Sequence, residues 1–213
     1  MNLTKKNTLL ASAILTGGMQ LAGTAWATEG QIAADAFIST ADAARANQNF
    51  GNGITLEVGN SSASYIQIDL STLPPGTTGE HVASASLLVW VNSVSTAGGM
   101  DVFEVTSPWA ENSISGNNQP QRGTSPLGVV SVNAAGRYIV IDLTTLVQRW
   151  IDSPGQNHGV VLLPSGVQPA QALFDSKEAP FGHSAKLDIS LYTVKSDGSF
   201  GATGATGATG AAG

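Results

Sequence analysis

Residues 137–163, RYIVIDLTTLVQRWIDSPGQNHGVVLL, hold a strand, a helix, a turn and a second strand in one stretch. Tyr138, Val140 and Asp142 alternate with Ile139 and Ile141, the period of two expected of a strand. Asp142 is placed to cap a helix. Leu143, Val147, Trp150 and Ile151 then recur at separations of three and four residues and form one apolar stripe. Ser153-Pro154-Gly155 ends the helix, and His158 to Leu163 is again apolar and extended. The spacing predicts a helix over about 143–152, the one convincing helix beyond residue 27. A helix that must bury Trp150 and Ile151 is suited to cover the end of a β-sandwich core.

Outward from this stretch the chain reads as short strands and turns. Strands are expected at Ala34–Ile38, Ile54–Val58, Tyr65–Leu70, Val82–Asn92, Asp101–Thr106, 158–163, 171–175 and 185–193. Leu127–Asn133 and Arg137–Asp142 read as a hairpin across Ala134-Ala135-Gly136. Thr28–Ala33 is expected to be a flexible start, 39–52 a polar loop that buries Phe50, and 110–126 a long polar loop. In Val82–Asn92, Leu87, Val89 and Val91 share one face and Leu88 and Trp90 the other. That strand is either covered on both sides or presents Trp90 on an outer face. About nine or ten short strands at regular spacing are the pattern of an antiparallel, all-β sandwich.

The first 27 of the 213 residues have the order of features of an export signal. Lys5 and Lys6 give a positive start, Thr8–Leu15 an apolar run extended by Met19–Ala22, and Ala25-Trp26-Ala27 a small-x-small cleavage pattern. The expected organisation is therefore a signal over 1–27, a folded domain over 28–195, and a linker and tail over 196–213. Loss of Lys5 and Lys6 leaves seven basic residues against fifteen acidic, a net charge of −8. That balance argues against nucleic acid, which is bound through clustered Lys and Arg, and against docking on anionic membranes. No apolar stretch after residue 27 approaches spanning length. With no cysteine there are no disulfides, thiolate metal sites or Cys nucleophiles, so stability must come from an apolar core.

From Gly201 glycine recurs every third residue, GATGATGATGAAG, the period of collagen. The run is short and has no proline, so taken alone it reads as a flexible tail, because ordering costs ~1–2 kcal/mol per residue.

Trp90 and Trp109 are the aromatic candidates for stacking on a sugar ring, with packing in the core or on a sheet as the alternative for each. Trp109 opens the longest loop, and Glu111, Asn112, Asn117, Asn118, Gln119 and Arg122 follow it. Amides and a guanidinium beside an aromatic ring are the groups that sugar hydroxyls need as donors and acceptors. Asp69, Asp101, Glu104, Asp142, Asp175 and Glu178 offer oxygen ligands for calcium but have no EF-hand spacing. Around His81, His158 and His183 there is no His-Glu-x-x-His, Gly-x-Ser-x-Gly or phosphate-loop motif, and the reading is of a protein that is not an enzyme.

Several stretches, in this order, resemble the DNRLRE domains, secreted modules related to carbohydrate-binding modules of alginate lyases and to disaggregatases. They are Asp35-Ala36-Phe37-Ile38, Asn49-Phe50-Gly51, Leu56-Glu57-Val58-Gly59, Ile68-Asp69-Leu70 with Leu73-Pro74, Ala85-Ser86-Leu87, Trp109 to Ile114, Asp142-Leu143-Thr144 to Trp150, Asn157-His158-Gly159-Val160, Phe174 to Glu178, and Leu187-Asp188-Ile189. The resemblance implies a jelly-roll-like β-sandwich and a non-catalytic, secreted module that binds a polysaccharide or cell-surface glycan. The chain departs from the family in carrying Gln67 before Ile68-Asp69, where an Arg often stands, and in lacking a proline near Ser184-Ala185. The tail resembles the start of bacterial collagen-like proteins, which place a globular head before Gly-Xaa-Yaa repeats. That implies, as an alternative, the head of a surface fibre that forms homo-oligomers, such as trimers, through the tail.

Overall fold

A computed structural model describes residues 26–180 and 182–192. The expected tail, and the expected signal up to residue 25, lie outside the described residues. The elements in order are β1 (Trp26–Ser39), α1 (Ala43–Asn47), β2 (Thr55–Val58), β3 (Ser62–Asp69), β4 (Val82–Thr96), β5 (Gly98–Glu104), β6 (Gly128–Val132), β7 (Arg137–Asp142), α2 (Thr144–Asp152), β8 (Val160–Pro164), β9 (Gln171–Asp175) and β10 (Lys186–Leu191). All named strands pair antiparallel, and they build an open jelly-roll-like sandwich. In the first sheet β4 is flanked by β7 on one edge and by β9 and β10, end to end, on the other. The second sheet runs β1–β3–β8–β5–β6.

β1 joins the two sheets. Residues 26–30 pair with β10, residues 31–39 pair with β3, and a bulge lies between Ile32 and Ala34. Trp26, the first residue of β1, faces Leu191, the last of β10. Thr28–Ala33 is thus not a flexible start but the stretch in which β1 passes from one sheet to the other. Its backbone hydrogen bonds are taken up by partners on both sides.

The core lies between the sheets. Leu87, Val89 and Val91 of β4 are fully buried against Ile66 and Ile68 of β3, Met100 and Val102 of β5, and Val160 and Leu162 of β8. α2 closes this core with Leu146, Val147 and Trp150, and Trp150 is 1% exposed. It begins one residue later than the sequence indicates, because Leu143 occupies the N-cap. Asp142 still serves the helix end: the Thr144 N–H and hydroxyl both donate to its Oδ1, at 2.9 and 2.6 Å. The same hydroxyl accepts from Ala85 N at 3.0 Å and pins the helix to β4.

Three expectations are corrected. The residues after 39 are not all loop: α1 forms where the Asp42 carboxylate caps Arg45 N. It carries no buried side chain, so it leaves no apolar stripe to read. The proposed hairpin over 127–142 does not form: β6 pairs β5 in one sheet and β7 pairs β4 in the other. Ile139 and Ile141 of β7 need the apolar row of β4, and β6 has only Val132 fully buried. The 106–127 loop is not simply solvated. The outer face of the second sheet carries Ala36, Ile38, Ala63, Tyr65, Phe103 and Val161, and Ile114 and Trp109 from this loop cover it as a second apolar layer.

Two substitutions test this architecture. Gly159 has φ +82, and a Cβ there would lie 2.1 Å from Ile66 O. Gly159→Ala is expected to lose ~2–4 kcal/mol in urea unfolding, from left-handed strain plus backbone overlap; a loss below ~1 kcal/mol would contradict the packing of β8 on β3. Asp142→Ala is expected to cost ~1 kcal/mol at neutral pH. The side-chain and then the backbone hydrogen bond from Thr144 hold the Asp142 carboxyl below its ordinary value of 3.8. Its stabilisation is therefore present above pH 3.8 and fades as pH falls through the lower folded-state value, and the gap between wild type and variant closes with it.

Candidate functional site

The alternation of β4 sends Leu88 and Trp90 outward while their neighbours enter the core. Trp90 faces Tyr138 across the β4–β7 pairing, with ring centroids 5.0 Å apart and planes at 71°. The His183 ring stacks on Trp90 at 4.1 Å and 15°. His183 comes from the loop between β9 and β10 and sets its Nδ1 3.4 Å from Asp175 Oδ2. Asp175 is 1% exposed, and its Oδ1 accepts from Asn92 Nδ2 at 2.8 Å. One buried carboxylate thus fixes two polar side chains, His183 and Asn92, that stand near a half-exposed tryptophan. Val140 extends this face as an exposed apolar side chain. From sequence Tyr138 reads as either a binding or a packing residue and His183 enters only among the histidines weighed for catalysis; Asn92 is not singled out. The alternation of β7 puts Tyr138 outward, but its pairing partner cannot be read without the sheet order.

Trp109 lies elsewhere. Its ring tilts against buried Tyr65 at 5.8 Å, and its Nε1 donates to His158 O at 2.9 Å. It anchors the long loop on the second sheet. The loop amides bond the loop itself and α1. Asn118 Oδ1 accepts from Ser115 N, and its Nδ2 donates to Ser113 O. Gln119 donates to Gly116 O, and Asn117 donates to Asn47 Oδ1 of α1 at 2.6 Å. Arg122 stacks its guanidinium 4.1 Å above the Phe103 ring, and Asn112 is exposed. Trp90 on one sheet and the Trp109 loop on the other are therefore separate surfaces.

Glu111 joins a cluster that sequence did not assemble. Its Oε1 accepts from Asp35 N at 2.8 Å and sits 3.0 Å from Lys177 Nζ. Lys177 Nζ also bonds Glu178 Oε1, and Lys177 N donates to Asp35 Oδ2 at 2.7 Å. One carboxylate oxygen from each of Asp35, Glu111 and Glu178 lies within 4.8 Å of the others, a group able to coordinate a divalent cation. Burial pushes the Asp35 carboxyl up to about 7; the Lys177 N–H opposes the rise, and the Glu178 charge adds to it. Burial works against the Lys177 charge too, but its bonds to Glu178 and Glu111 prevail and its pKa is raised. Of the calcium candidates read from sequence only Glu178 is in this group; Asp69 and Asp142 serve local turns through Ser71 and Thr144.

A cavity of about 440 Å³ opens beside α2, lined by Asp69, Ser71, Thr77, Ile151 and Asn157 among others. Asn157 Nδ2 donates to Ile68 O, while its Oδ1 is buried without a partner.

A two-layer antiparallel sandwich with an aromatic cluster on one outer face defines a binding module of the β-sandwich class. The model of carbohydrate-binding module family 96 matches residues 27–191, and the chain belongs to that family. It is a carbohydrate-binding module. A search of curated proteins returns no match to the chain.

Trp109→Phe keeps an aromatic ring but removes the bond to His158 O and part of the apolar contact with Tyr65. It is expected to lower stability by at least ~1 kcal/mol in denaturant unfolding, the net worth of one such bond. An unchanged midpoint would show that the indole N–H does not anchor the loop.

Proposed function

We propose that the protein is exported, loses residues 1–27, and binds a polysaccharide outside the cell through the outer face around Trp90. The observation that carries this reading is the outward aromatic cluster of half-buried Trp90, with Tyr138 edge-on to it and His183 stacked on one face, and Asn92 near by. A flat aromatic group gives apolar contact to the C–H face of a sugar, and neighbouring amide and imidazole groups bond its hydroxyls. Residues Glu111, Asn112, Asn117, Asn118, Gln119 and Arg122 form a second candidate surface beside Trp109. The DNRLRE resemblance supports an extracellular module.

The charge pattern favours a neutral polymer. Arg45, Arg149, Lys177 and Lys186, four of the seven basic residues after residue 27, are each within 4.0 Å of a carboxylate, in a protein of net charge −8 that repels an anionic chain overall. The Gly-Xaa-Yaa run from Gly201 supports a further role as the head of a collagen-like surface fibre, in which oligomerisation through the tail would multiply weak single-site binding.

Affinity electrophoresis against neutral and acidic polysaccharides, with and without calcium, tests the reading. Retardation by a neutral polymer is expected, with at least ~10-fold weaker affinity in Trp90→Ala, or ~1.4 kcal/mol. Retardation unchanged in both Trp90→Ala and Trp109→Ala would remove both surfaces from the proposal. No retardation by any polymer would count against polysaccharide as the ligand.

A further inference from the structure

The Asp35, Glu111 and Glu178 cluster brings together three segments far apart in the chain: β1, the start of the long loop after β5, and the loop after β9. Its frame is built by the backbone. Asn49 Nδ2 donates to both Glu111 O and Ile114 O, at 2.7 and 2.8 Å. Gly51 packs so closely below that a Cβ there would lie 2.2 Å from Glu111 O. Asp35 is held through Lys177 N and Glu111 Oε1. The carboxylates are therefore positioned by hydrogen bonds that do not themselves need an ion.

The charge in this frame is not balanced. Three acidic groups face a single ammonium, that of Lys177, which takes one oxygen of Glu111 and one of Glu178. Two carboxylate oxygens, Asp35 Oδ1 and Glu178 Oε2, are buried with no hydrogen-bond partner. Asp35 itself is 1% exposed. Buried carboxylate oxygens are costly unless a donor or a cation meets them.

We infer that Asp35, Glu111 and Glu178 form a site for a hard divalent cation of the calcium class, which fastens β1 to the two loops that cross it. All ligands are oxygens, the preference of hard cations. Glu111 and Glu178 retain about a quarter of their side-chain exposure, so water can reach the site and complete the coordination. The irregular set of three carboxylates suits calcium, which tolerates six to eight ligands in flexible geometry, better than magnesium, which demands a regular octahedron. Lys177 is the built-in competitor. Its side chain is 27% exposed, so the ammonium can turn to solvent when the cation enters.

The test is thermal unfolding of the whole protein, stripped with a chelator and titrated with calcium chloride or magnesium chloride. Calcium is expected to raise the midpoint saturably, by ~5–10 °C at a hundred-fold excess over Kd, and magnesium by less. Asp35→Asn and Glu178→Gln are each expected to weaken the calcium response at least ~10-fold, the scale of losing one charged ligand. Should Asp35→Asn fail to fold, Glu178→Gln, at a partly exposed side chain, decides. Lys177→Met is expected to bind calcium more tightly than wild type. No midpoint shift in millimolar calcium, or the same shift in the Glu178→Gln protein, would overturn the site. So would a Lys177→Met protein that loses stability and gains no calcium affinity, because the carboxylates would then serve the lysine alone. None of these readouts involves a sugar, so they stand or fall independently of the glycan assignment.

Discussion

The sandwich depends on one strand belonging to both of its sheets. β1 gives its first five residues to β10 and the rest to β3, and the bulge after Ile32 lets the backbone turn from one layer to the other. From Ala34 to Ser39, where β1 pairs with β3, every residue is buried, and the 106–127 loop covers the outer face of this part. That is why a carboxylate at position 35 cannot reach water and must be answered by the loops that cross it.

The readable parts of the sequence were those in which one face is buried and the other is not. β4 and β7 alternate cleanly because each has a core side and an outer side, and α2 carries one apolar stripe because one side of it meets the sandwich. β1 was only half legible. Its first residues pass between sheets, so no single face is buried along them. The role of Trp109 was hidden for another reason. The 106–127 loop is polar by composition, but it covers an apolar outer face formed by Ala36, Ile38, Ala63 and Tyr65. The need for that cover appears only once β1 and β3 are placed side by side.

Of the candidate binding residues, Trp90 could be read from its place in an alternating strand, whereas its surroundings could not. Asp175, Asn92 and His183 converge on it from β9, β4 and the following loop. Asp35 and Glu111 are 76 positions apart, and neither has a local pattern that announces the other. Alternation and capping are local and survive in the sequence. Convergence of charged groups is tertiary and does not.

The pairing of Thr28 with Ile189 places the two ends of the exported domain side by side on neighbouring antiparallel strands. A pull applied through the two ends would open β1 from β10 like a zipper, one backbone hydrogen bond after another, with no row of bonds loaded together. Such a module yields at low force when it is held at both ends. Held at one end only, it transmits no tension through that seam. The strand order therefore favours a terminal position in a load-bearing chain over an internal one, with the outer face around Trp90 left free of the attachment.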